Sequence, residues 1–160
     1  MPPIADKDRL VRLFAAFVER LNSDPALAGR LAELSQALGF RLDDLDATLV
    51  LDARTVPLRA PGSRTRLTPD TFITTTTSLF HDFWLGRLGL ADFLAQSQVD
   101  GDVQPMLDIA ASLPLAFAVY AETARRRRMT SLAAPESVAN AETPAPAEMA
   151  APVEPPATPA

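Results

Sequence analysis

The chain has 160 residues, room for one folded domain and a tail but not for two full cores. It has no cysteine, which excludes disulfide scaffolds, thiolate zinc sites, iron–sulfur clusters and cysteine nucleophiles together. With 15 Lys+Arg against 20 Asp+Glu the net charge is −5, the wrong sign for a protein that binds phosphate backbones, so no nucleic-acid partner is expected. The opening Met1-Pro2-Pro3-Ile4-Ala5-Asp6 has no basic stretch leading into an apolar run, and the longest apolar stretch, 110–121, is too short to span a bilayer. The expected compartment is the cytoplasm.

In chain order, Leu10, Leu13, Phe14, Phe17, Val18 and Leu21 follow the spacing of a helix that buries one stripe. Asp24 is a good N-cap with Pro25 at the first helical position, and Leu27, Leu31, Leu34 and Leu38 share a face up to Gly39. This predicts a second helix over 25–38. From Leu45 the period changes to two, the mark of a half-buried strand over 45–52. Pro57, Pro61-Gly62 and Pro69 divide the next stretch into short extended pieces at 55–59 and 64–67, followed by a β-branched run at 71–77. Ser78 can cap a helix carrying Leu79, Phe80, Phe83 and Trp84. Gly86 and Gly89 allow a corner, and 90–95 adds a helical turn or two before a short strand at 97–100. Asp102 caps a last helix with Met106, Ile109, Ala110, Leu113, Phe117 and Tyr120 on its apolar face, which Pro114 should break or kink.

After Met129 come seven of the 15 prolines, interleaved with alanine, and Glu136, Glu142, Glu148 and Glu154 at intervals of six. Such a composition offers little apolar surface to bury, so the domain is expected over 6–128 and a disordered Pro/Ala/Glu-rich tail over 129–160. Without those four glutamates, 15 basic residues face 16 acidic ones in 1–128, and the domain is nearly neutral.

Catalytic and metal chemistry find little support. His81 is the only histidine, and Asp82 beside it projects from a different side of the helix. The aspartates at 43, 44 and 46 and at 100 and 102 lack the calcium-loop spacing and suit turns and caps. No glycine pattern cradles a phosphate. No enzyme, cofactor or metal is expected. The run Arg125–Arg128 has two readings: a solvated helix end that complements the negative helix pole, or a contact with an anionic membrane surface or acidic partner.

The pieces Pro69-Asp70-Thr71-Phe72-Ile73-Thr74-Thr75, Leu85-Gly86-Arg87-Leu88-Gly89-Leu90-Ala91-Asp92-Phe93-Leu94-Ala95 and Ser97-Gln98-Val99-Asp100-Gly101-Asp102 follow one another as strand, helix, glycine corner, helix, short strand and helix. This order resembles the sterol carrier protein 2 (SCP2-like) lipid-carrier family, over roughly 8–122 and most closely over 70–113. The resemblance implies an α/β (α+β) fold, with helices packed on a roughly five-stranded sheet around an apolar tunnel, and no catalytic residues. It implies an intracellular carrier that binds a hydrophobic lipid of sterol, acyl or isoprenoid type. The alternative is a non-enzymatic accessory factor for lipid-modifying enzymes such as those of ubiquinone biosynthesis. The residues expected to line the ligand space are Phe72, Phe80, Phe83, Trp84, Phe93, Met106, Ile109, Leu113 and Phe117. Apolar ligand sites are walled by such side chains, although the same side chains also build ordinary cores.

Overall fold

A computed structural model describes residues 6–61 and 67–142. The chain divides into two units, the first ending at Arg125 and the second beginning at Arg126. Helix α1 (Lys7–Leu21) starts at Asp6, whose carboxylate accepts from the Asp8 amide, and buries the expected stripe from Leu10 to Leu21. Helix α2 (Pro25–Leu31) is capped by Asp24, which accepts from the amides of Ala26 and Leu27.

The second helix is shorter than predicted. A single 3-10 turn over Ala32–Leu34 ends at Ser35 in the left-handed region, and the chain then enters strand β1 (Ala37–Leu42). Leu38 and Gly39 are therefore strand residues, and Gly39 is no helix stop. Its lack of a side chain serves packing: a Cβ there would stand 2.7 Å from the Pro69 Cγ and 2.8 Å from the Phe72 ring. Helical spacing of Leu27, Leu31, Leu34 and Leu38 masked the change of element.

Strand β2 (Ala47–Asp52) pairs antiparallel with β1, β3 (Thr71–Thr75) lies parallel on the other side of β1, and β4 (Gln98–Asp100) pairs antiparallel with β3. The order β2-β1-β3-β4 makes a sheet of four strands among the described residues, not about five. The prolines explain the difference. The piece expected at 55–59 contributes one bridge, Arg59 to Asp52, whose backbones exchange both hydrogen bonds. Of the piece expected at 64–67, only Leu67 lies within the described residues, outside any strand.

Alternation gives the sheet two faces. Leu38, Phe40 and Leu42, with Ala47, Leu49 and Leu51 and with Thr71, Ile73 and Thr75, are buried on the inner face. The outer face carries Arg41 over the Phe72 ring, 5.0 Å from its centre, a contact worth about 0.5–1 kcal/mol.

Helix α3 (Thr77–Trp84) is capped by Thr76 and not by Ser78, since the Thr76 hydroxyl accepts from the Leu79 amide. Helix α4 (Leu90–Ala95) and α5 (Gln104–Asp108) flank β4. Pro114 interrupts the last predicted helix as expected: a 3-10 turn over Ala110–Ser112 precedes α6 (Leu113–Glu142), in whose first turn a proline costs no hydrogen bond. The helical backbone of α6 continues past the expected domain edge at 128 to Glu142. The stretch 129–142 is rich in helix-favouring alanine, which offsets the cost of its single proline, Pro135. The rest of the expected tail, 143–160, lies outside the described residues.

Candidate functional site

Seven of the nine expected lining residues meet in one buried core: Phe80, Phe83, Trp84, Phe93, Met106, Ile109 and Leu113. Phe117 packs against it half-buried. Phe72 is the exception. Ile73 takes the inner position on β3, so its neighbour turns to the outer face, against Arg41 and the bare backbone of Gly39.

The inner core is a cluster of rings. Phe83 stacks on Phe93 with centres 4.3 Å apart, and Phe117 stands edge-on to Phe83 at 5.1 Å. Trp84 meets Phe17 at 5.0 Å and Phe40 at 6.0 Å, so α1, the sheet and α3 share one aromatic layer. Tyr120 joins it from α6, with its hydroxyl 2.9 Å from His81 Nδ1. Burial pushes the Tyr120 phenol well above the usual range, so it is neutral at any physiological pH. Against this apolar background two polar atoms stand out: Trp84 Nε1 and, on the inner face of β3, Thr75 Oγ1 are buried and, among the described residues, have no hydrogen-bond partner.

At the edge of this layer, a cleft of about 470 Å³ opens between α1, β2 and the segment after β2. Its apolar lining includes Val11, Phe14, Leu49, Pro61 and Leu67. Phe14 belongs to both regions, since it lines the cleft and packs on Phe17 at 5.9 Å, Phe80 at 6.0 Å and Phe40 at 6.4 Å. Lys7, the chain's only lysine, closes one end by donating to the Asp46 carbonyl at 2.6 Å. The rim is more polar than the floor. Asp52 turns its N–H and C=O away from β1 to Arg59, and by strand alternation Thr48 and Val50, which also line the cleft, turn theirs the same way. At the far end of β2, burial raises the Asp52 carboxyl, but hydrogen bonds from Arg54 and the charges of Arg54 and Arg59 outweigh it and hold the group below its ordinary range.

Phe14 and Leu49 were legible in the sequence as core positions only, and Val11 lay outside the stripe read there. No spacing separates a ring that lines a cleft from one that fills a core. The four arginines 125–128 are exposed on α6, and Arg125 is paired with Glu122. Among the described residues no three or more His, Asp or Glu side chains are grouped to hold a metal ion, and no helix is long and apolar enough to cross a membrane.

No protein-family model matches the chain, and no curated protein sequence does. Solved structures do. A crystal structure of sterol carrier protein 2 aligns over 73% of this chain and 96% of its own, with 13% identity and a TM-score of 0.50. Sterol carrier protein domain 2 of Helicoverpa armigera aligns over 64% of this chain and 84% of its own, with 15% identity and a TM-score of 0.50. A ubiquinone synthesis protein, UbiJ-SCP2, aligns over 64% and 93%, with 21% identity and a TM-score of 0.46. The fold is SCP2-like.

Proposed function

We propose that this protein binds a hydrophobic lipid of sterol, acyl or isoprenoid type and shields it from water in the cytoplasm, without transforming it. The observation that carries the reading is the position of Phe14, at once in the wall of the α1–β2 cleft and in the aromatic layer beneath it. A chain entering the cleft meets Val11, Phe14 and Leu49 first and gains the inner layer, including Phe80, Phe83, Trp84, Phe93 and Phe117, by turning Phe14 aside. Met106, Ile109 and Leu113 belong to the same buried core. Likeness in fold to sterol carrier protein 2 supports the reading.

The driving force is removal of apolar surface from water, about 25 cal/mol per Å², which asks for few directional contacts and tolerates ligands of varied shape. The test is mass spectrometry of organic extracts from natively purified full-length protein, joined to a titration of Trp84 emission with acyl, sterol and polyprenyl ligands. Trp84 is the only tryptophan, so the signal has one source. Stoichiometric lipid or a saturable change at low-micromolar ligand is expected. Lipid-free protein with a flat titration would replace the carrier with the accessory-factor reading.

A further inference from the structure

Trp84 occupies an unusual place for an indole. Its ring is 2% exposed, with Phe17 and Phe83 at 5.0 and 5.1 Å and Phe40 and Tyr120 at 6.0 and 6.2 Å. Buried tryptophans usually place their N–H on an acceptor, because a donor taken from water without a partner costs stability. Here Nε1 has no partner among the described residues. The Tyr120 hydroxyl, whose ring lies 6.2 Å from the indole, pairs with His81 Nδ1 at 2.9 Å. From the cleft, Trp84 stands one ring beyond the Phe14–Phe17 contact.

We infer that the lipid bound here carries a neutral acceptor, a ketone, ester or ether oxygen, on an otherwise apolar body, and that Trp84 Nε1 donates a hydrogen bond to it. This rests on the lipid-binding reading and adds the class of ligand to it. A neutral oxygen suits the site. A carboxylate or phosphate at the same depth would enter a layer of aromatic rings and lose its hydration without a countercharge, which costs far more than one hydrogen bond returns. A hydrocarbon lacking the oxygen fills the space and leaves the donor as it was. Trp84 thus sets specificity by favouring ligands that pair with a donor left unpaired in the free protein.

The experiment uses isotope-labelled full-length protein, whose single tryptophan yields one indole N–H resonance, and a matched pair of probes, methyl undecyl ketone and tridecane. The ketone is expected to bind about tenfold more tightly than the alkane, to move the indole proton downfield and to slow its exchange. Trp84→Phe is expected to lose the preference. If the alkane binds and the ketone binds no better, or if the ketone binds and leaves the indole resonance in place, the inference fails and the lipid reading stands. If neither binds, the lipid reading fails and takes the inference with it. The wild-type resonance decides between these outcomes whether or not the variant folds.

Discussion

His81 Nδ1 and the Tyr120 hydroxyl lie 2.9 Å apart inside the aromatic layer, joining α3 to α6 through a polar contact among apolar side chains. Burial raises the Tyr120 phenol, so the folded protein keeps a proton that the unfolded chain releases near the ordinary tyrosine value of about 10. Below that pH the difference contributes nothing to the pH dependence. Above it ionisation favours the unfolded chain, and stability falls by up to about 1.4 kcal/mol per pH unit. Because Tyr120 is the only tyrosine, phenolate absorbance should appear together with loss of helical circular dichroism, and Tyr120→Phe should flatten the alkaline decline. Phenolate forming near pH 10 in protein that is still folded would contradict the buried placement.

Asp44 in the β1–β2 turn reaches across to α3, where Oδ1 accepts from the Thr77 amide at 2.8 Å and from its hydroxyl at 2.9 Å. Together with Thr76 this gives α3 two side-chain caps from different parts of the chain. Asp44→Ala should cost about 1–2 kcal/mol, seen as a lower denaturation midpoint and faster amide exchange in the first turn of α3. Unchanged exchange at Thr77 would remove Asp44 from that role.

Gly39→Ala should be costly for a reason unrelated to turns. The new methyl would fall within 2.8 Å of the Pro69 and Phe72 rings, both stiff, and overpacking of this kind costs about 1–3 kcal/mol. Shortening Phe72 to Leu in the same protein should recover part of the loss. Additive losses from the two changes would mean that the rings do not meet at Gly39.

What the sequence made legible was local. The stripe of α1, the Asp24-Pro25 start, the period-two run predicted at 45–52, whose strand begins at Ala47, and the Pro114 interruption all show neighbours along the chain, and all are in the structure. Strand β1 stayed hidden because Leu34 and Leu38 continue a helical spacing, and only the later arrival of Pro69 and Phe72 against Gly39 reveals the strand. Phe72 and Ile73 show the same limit for the site. Both are large and apolar, and which one faces inward depends on pairing with Phe40 and Gly39 in β1, which the local pattern does not state. The cleft depends on α1, β2, Ala60, Pro61 and Leu67 coming together, and no single segment carries a mark of it.

Those two regions make opposite predictions for ligand binding. Val11 is half-buried in the cleft wall, whereas Phe72 lies on the outer face of the sheet. Val11→Asp places a carboxylate where a lipid chain would rest. Keeping even two methylenes off that wall costs about 1.6 kcal/mol, roughly a tenfold loss of affinity. The fold should bear the change, because Lys7 stands one turn earlier on the same helix face and can pair with the new charge. Phe72→Ala should do the reverse, lowering the denaturation midpoint through lost packing against Arg41 and Gly39 while leaving affinity for a long-chain ligand within about twofold of wild type. Titrations of both variants by Trp84 emission, beside their denaturation curves, make the comparison. If Phe72→Ala weakens binding and Val11→Asp does not, the ligand sits elsewhere than in the α1–β2 cleft.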